Sequence, residues 1–301
     1  MAKPKKASEE SPQSIIGQAI SDSKCGSKCT ETSGPGCSHL PVGLPAGVAP
    51  HIALGLDKEF LLRALRLMFT ARRSDEKHLI LVKQGKSFFH IGGSGHEAVQ
   101  TAIALSLKQK HDWGWTYYRD SAFTYSMGFT PREYFLLAFG KPEDPATGGR
   151  QMPGHYGHPD LNLPSQSSST GTQFLNAVGT ALANKKIGSD AITYVASGEG
   201  TTSQGEFYEA VNWASREMLP VLFCIQDNGY AISVPRESQS MGGGVGHTFC
   251  CYANLRMQTF DGTDFFESMA AARSSVEHIR SGKGPVLLHA MFERLLPHSS
   301  S

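Results

Sequence analysis

Apolar positions along the chain change their period several times. In "LDKEFLLRALRLMFTARRSDEKHLILVKQG", Phe60, Leu61, Ala64, Leu65 and Met68 recur at helical spacing. A second helix is expected from near His96 through "HEAVQTAIALSLKQ". A third follows "SSSTG", with Phe174, Ala177, Val178, Ala181 and Leu182 on one face and Gly188 as its stop. Between and after these lie short apolar runs of strand character, "AITYVAS", "VLFCIQ" and "PVLLHAMF". Helices alternating with buried strands predict an α/β fold: a doubly wound, mostly parallel sheet with helices on both faces. Residues 1–50 are rich in Ser, Gly, Pro and Lys with no sustained period and read as a flexible tail, leaving 51–301 as the folded domain.

One crossover carries unusual polar residues. "AITYVAS" is followed by Gly198-Glu199-Gly200, and Ser203 and Glu206 have capping-box spacing ahead of an apolar face of Phe207, Ala210, Val211 and Ala214. Pro220 separates that helix from "VLFCIQ", which runs into Asp227-Asn228. A βαβ unit brings both strand ends to one edge of the sheet, where open α/β sheets bind ligands. Glu199 and Asn228 are thus expected to meet there as hard oxygen donors, suited to magnesium or calcium. With Asp227 turned away, one carboxylate remains, and magnesium is commonly held by one or two carboxylates plus phosphate oxygens of a ligand. The plainer alternative has Glu199 capping the helix and Asn228 making a turn.

Charge and composition narrow the classes. Lys plus Arg number 28 and Asp plus Glu 27, a formal charge of +1, which is no footprint for nucleic acid or an anionic membrane. Hydrophobic residues make up 40%, enough for a sizeable core. "MAKPKKASEESPQ" has no apolar signal core, and its acids without Arg argue against a transit peptide, so a soluble, cytoplasmic protein is expected. Cys224, Cys250 and Cys251 read as reduced packing residues, whereas Cys25, Cys29, Cys37 and His39 form a four-ligand set whose types suit zinc but whose spacing matches no common knuckle.

The motifs resemble a known family. Gly-acid-Gly followed at a distance by Asn is similar to the thiamine diphosphate motif, and "GRQMPGHYG", "GEGTTSQGEFYEAVNWAS", "DNGYAISVP" and "WTYYRD" resemble the α subunit of the 2-oxo acid dehydrogenase first component, its branched-chain (2-oxoisovalerate) members above all. The resemblance covers roughly residues 51 to 301. It implies oxidative decarboxylation of a 2-oxo acid, pyruvate and acetoin being the nearest alternatives to a branched-chain acid, with the acyl group passed to a lipoyl group on a partner acyltransferase. It implies Glu199, the Asn228 side chain and the Tyr230 carbonyl as Mg²⁺ ligands. Tyr118 and Arg119 match the pair that holds the diphosphate, Ser168 a residue near the cofactor, and Gly198 and Gly200 the backbone that approaches it, with Thr201 following at the helix start, where backbone N–H groups favour anions. A guanidinium suits phosphate through its planar fork, the alternative for Arg119 being a salt bridge to Asp120. His298, and with less definition His155, match active-site histidines. Ser299 and Ser300 fall where animal relatives are phosphorylated.

The family's α chain continues past the loop in which this sequence stops, and the carboxylate for the cofactor's aminopyrimidine is expected from a β subunit, separate or fused. The chain is therefore expected to be half an active site in an α₂β₂ assembly, inactive alone. Rival readings are an NAD-binding dehydrogenase, from Gly93-Ser94-Gly95-His96-Glu97-Ala98 at a helix start, and a zinc-dependent interaction module built on the tail. Gly85-Lys86-Ser87 lacks the earlier glycine of a phosphate-binding loop.

Overall fold

The computed structural model describes residues 43–241, 244–249 and 252–300. The proposed zinc set Cys25, Cys29, Cys37 and His39, most of the expected tail, and Cys250 and Cys251 lie outside them.

Five strands form one sheet in the order β1–β2–β3–β7–β6, and every pairing is parallel. They are β1 (Trp113–Trp115), β2 (Thr193–Gly198), β3 (Val221–Asp227), β6 (Arg256–Asp261) and β7 (Val286–Met291). A separate hairpin joins β4 (Tyr230–Ala231) to β5 (Val234–Pro235). The longer helices are α1 (Lys58–Lys83), α2 (Glu97–Ser106), α3 (Ser121–Met127), α4 (Pro131–Ala138), α5 (Thr172–Lys186), α6 (Gly205–Arg216) and α7 (Phe265–Arg280).

Alternation along the strands builds two cores, because successive side chains leave a strand on opposite faces. Tyr194, Ala196, Leu222, Cys224, Leu288 and Ala290 face one layer, with Val99, Ile103, Phe123 and Ala271 from the helices. Val195, Val221, Phe223, Ile225 and Leu287 face the other, with Phe174 and Ala177 of α5 and Phe207 and Ala210 of α6. Phe207 is fully buried between Phe174 and Phe249, with ring centroids at 4.8 and 5.2 Å. Its truncation to alanine is expected to cost about 3–5 kcal/mol.

The expected α/β architecture, doubly wound and mostly parallel, is the one observed. Its two edge strands, β1 and β6, escape the pattern: "WGW" is three residues long, and "RMQTFD" mixes polar with apolar positions. Two local expectations are corrected. The capping box at Ser203 and Glu206 does not form, because Glu199–Ser203 is itself a 3₁₀ turn and Gln204 precedes α6 with no side-chain cap. On α1, Leu65 is 56% exposed, and the buried face instead runs through Ala64, Ala71, Ser74, Asp75, His78 and Leu81. A helix that hides polar groups and shows apolar ones has partners that its own periodicity does not reveal.

Candidate active site

Parallel pairing sets the ends of β2 and β3 side by side, with Gly198 opposite Gln226. Glu199 and Asp227 are the next residues past that register pair. Their carboxylates meet different fates. Asp227 accepts from His289 Nε2 at 2.7 Å, Arg236 Nη1 at 2.8 Å and the Gly229 amide at 2.8 Å. Burial opposes its charge, but His289 and Arg236 outweigh burial and hold the carboxyl at about 2. Glu199 is 3% exposed; its Oε1 accepts from Ser240 Oγ, while its Oε2 is buried with no partner among the described residues. Burial, more than any neighbour, raises its carboxyl above the ordinary value. Glu199 caps no helix. Asn228 Oδ1 accepts from the Tyr230 amide at 3.2 Å, the turn foreseen as its alternative role, and retains a lone pair for another partner.

These ends open onto a cleft of about 350 Å³ lined by Tyr118, Arg119, His155, Ser168, Gly198, Gly200, Thr201, Asn228, Tyr230 and His298. Every residue that the resemblance assigned is thus on the lining, except Glu199, which lies buried between lining glycines. Gly200 is required by close approach: a β-carbon there would sit 2.7 Å from that of Ala231. Thr201 is part of the 3₁₀ turn and not of the helix start, a further correction of placement. Ser168 is exposed and does not cap α5, whose N-cap is Gly171.

Among the described residues Arg119 is the largest fully buried side chain and has no carboxylate partner. It donates through Nη1 to the Gly92 carbonyl at 2.6 Å and through Nη2 to the His298 carbonyl at 2.8 Å, while its Nε is buried and unpartnered. The alternative salt bridge to Asp120 is not made. Asp120 instead accepts from the Tyr117 amide, Tyr194 Oη and Gln226 Nε2, and burial pushes its carboxyl up to about 7. A buried cation without a counter-ion is costly on its own and complementary to an anion.

The two histidines carry opposite tautomers. His298 Nδ1 lies 3.1 Å from Arg119 Nη2, which can only donate, so its proton sits on Nε2. Burial, then Arg119 and Arg294, lower its pKa to about 4, leaving the ring neutral near pH 7. His155 Nδ1 donates to the Met152 carbonyl at 3.0 Å, leaving Nε2 as an acceptor. Sequence reasoning missed Arg294, which lines the same cleft and reaches within 3.5 Å of His298 Nδ1. The available signal was its place four residues ahead of His298 in "ERLLPHSSS".

One rival reading loses ground. Gly93–Ala98 leads into α2, but among the described residues no strand precedes it, as a dinucleotide fingerprint requires. Among the described residues no group of three or more His, Cys, Asp or Glu could hold a metal. No described helix is long and apolar enough to cross a membrane.

Comparison with known proteins identifies the family. The family described as dehydrogenase E1 component matches residues 65–301. The chain belongs to that family, and its mostly parallel α/β sheet is consistent with the family's α components. It is 37% identical over 250 residues to the 2-oxoisovalerate dehydrogenase subunit alpha of Bacillus subtilis, covering 83% of this chain and 76% of that one. It is 32% identical over 246 residues to the mitochondrial 2-oxoisovalerate dehydrogenase subunit alpha 2 of Arabidopsis thaliana, covering 82% and 52%. It is 31% identical over 244 residues to the pyruvate dehydrogenase E1 component subunit alpha of Staphylococcus aureus, covering 81% and 63%. The chain therefore spans between about half and three quarters of the length of these relatives.

Proposed function

We propose that residues 51–301 form the diphosphate- and magnesium-binding half of a thiamine diphosphate site, acting in the cytoplasm in oxidative decarboxylation of a branched-chain 2-oxo acid. The observation that carries this reading is a buried carboxylate oxygen without a partner, Glu199 Oε2, beside a cleft lined by a buried guanidinium without a carboxylate partner, Arg119, both among the described residues. They ask for a cation and an anion respectively, and a magnesium diphosphate is both. Glu199, Asn228 Oδ1 and the Tyr230 carbonyl would hold the metal, and Arg119 with Tyr118 the diphosphate. Thiamine diphosphate, when bound, supplies the nucleophile and electron sink for decarboxylation.

The chain's own groups bind, orient and handle protons. Arg119 fixes the His298 tautomer, so His298 Nε2–H serves as a hydrogen-bond donor toward the cleft. His155 Nε2 serves as an acceptor in the same cleft. A β subunit would supply the missing carboxylate, and a lipoyl-bearing acyltransferase would take the acyl group. Leu62, Leu65 and Phe69 of α1, each 41–56% exposed, supply apolar surface of the kind a partner covers.

Likeness to the Staphylococcus aureus protein keeps pyruvate as the second reading. Steady-state decarboxylation of 3-methyl-2-oxobutanoate and of pyruvate, and carbon–carbon cleavage of acetoin, by the chain alone and then mixed with its β partner, test the proposal. Turnover is expected only in the mixture, with the highest kcat/KM for the branched acid. Unaided turnover by the isolated chain would refute the half-site reading, and a mixture that neither associates nor turns over would refute the assignment.

A further inference from the structure

The most buried acid of α1 lies outside the cleft lining, yet it organises residues that do line it. Asp75 is 3% exposed. Its carboxylate accepts from His90 Nε2 at 2.5 Å, from the Ser94 amide at 3.1 Å and from Ser94 Oγ. Segment 90–94 thus wraps one carboxylate, and closely: a β-carbon at Gly92 would lie 2.4 Å from Asp75 Oδ1.

The outer edge of the same segment holds the site. The Gly92 carbonyl accepts Arg119 Nη1 at 2.6 Å. The Ser94 carbonyl accepts the Leu295 amide at 3.2 Å, and His90 and Ser300 exchange both backbone hydrogen bonds at 2.8 Å. His298 lies between those two anchors and receives Arg119 on its carbonyl. One buried carboxylate therefore underlies the backbone–backbone hydrogen bonds that anchor both ends of the loop 295–300, and one of the contacts that fixes Arg119.

We infer that Asp75 is a positioning residue: through His90 and Ser94 it shapes segment 90–94 into a platform that sets Arg119 and the loop carrying His298. The platform is independent of the proposed chemistry; only its consequence for cofactor binding rests on that reading. His90 and Ser94 are its working contacts, since both donate inward to Asp75 and lend their backbone outward to the loop.

Hydrogen exchange of the full chain tests it, read at a peptide spanning 294–300 against one spanning β3. Asp75→Asn is expected to speed exchange of the loop peptide about tenfold or more, the scale of losing a hydrogen bond to a buried charge, with the β3 peptide unchanged. The control is Asp112→Asn. Asp112 is fully buried and accepts from the Lys108 and Ile192 amides and from Arg280, remote from this loop. It is expected to lower Tm while leaving loop exchange alone. Wild-type loop exchange in Asp75→Asn, or equal loosening in Asp112→Asn, would overturn the inference. Should Asp75→Asn fail to fold, Ser94→Ala, which removes one hydroxyl, is expected to loosen the loop in the same direction by a smaller factor, and no change would likewise overturn it. In the α–β pair, Asp75→Asn is also expected to weaken thiamine diphosphate binding about tenfold. Unchanged affinity would overturn the platform's reach to Arg119, whereas a wild-type pair that binds no cofactor would count against the proposed function and leave the exchange result standing.

Discussion

The ends of β2 and β3 make a natural experiment. Each strand delivers a buried acid to the same edge of the sheet, one residue past a shared register pair. Asp227 is saturated by an arginine, a histidine and a backbone amide, while Glu199 has one oxygen bonded and one bare. Satisfied charge builds structure, and charge left unsatisfied is held for something that arrives later. The contrast separates roles that sequence proximity would merge, because Asp227 and Asn228 are neighbours and only Asn228 lines the cleft.

Breaking the saturated end should give the largest effect. Asp227→Ala strands Arg236 and His289, and removing one partner of a buried ion pair typically costs about 3–5 kcal/mol. Chemical denaturation of the wild type and variant checks this, and a loss under about 1 kcal/mol, the surface-pair range, would show the pair to be dispensable. Glu199→Gln should behave oppositely. It removes a carboxylate whose charge burial disfavours, so stability is expected to hold or rise. Magnesium-dependent thiamine diphosphate binding by the α–β pair is expected to fall ten- to a hundredfold or beyond, the scale of losing a charged ligand contact. Calorimetry with and without magnesium checks it, and unchanged affinity would remove Glu199 from the ligand set. Asn228→Ala should act in the same direction with some binding retained.

This division explains what could be read in the sequence. Glu199, Asn228, Arg119 and His298 were legible because each sits in a short motif with a chemical purpose. Their partners were not. Arg119 and His298 are 179 positions apart, Asp227 and His289 62, and Glu199 and Ser240 41. Such pairs follow from which strand lies beside which, information that periodicity does not carry. The helices of the second core were legible for the complementary reason: Phe174, Ala177, Val178 and Ala181 repeat at helical spacing and pack on a sheet with that same apolar face. On α1 the rule fails because Asp75 and His78 are buried for hydrogen bonding and Leu65 and Phe69 are exposed.

A finer cut asks whether Arg119 is a binding group or a structural one. Arg119→Lys keeps the charge but loses the fork that now spans Gly92 and His298. Cofactor affinity in the α–β pair is expected to fall about tenfold, with one hydrogen bond's worth of stability, about 1 kcal/mol, lost as well. A variant that loses stability but binds normally would place Arg119 with Asp227 on the structural side of the comparison.

The smallest effect concerns His298 and its dependence on pH. An ordinary histidine titrates near 6.5, whereas burial first, and then the two guanidinium groups of Arg119 and Arg294, depress His298 to about 4. Between those values the unfolded chain binds a proton that the folded chain refuses. The sign follows: the contribution of His298 to stability is fully present above about 6.5 and is lost as pH falls from 6.5 toward 4. His298→Gln should therefore flatten the stability profile in that interval and leave the neutral side unchanged. Imidazole resonances followed by NMR give the direct test. His298 should stay neutral, with its proton on Nε2, through the range where exposed histidines titrate, and Arg119→Gln should move its pKa upward by removing the nearer cation. If His298 titrates near 6.5 in the wild type, the loop does not hold it against Arg119 in solution. Its Nε2 would then lose the fixed donor role that sets it apart from His155 in the same cleft.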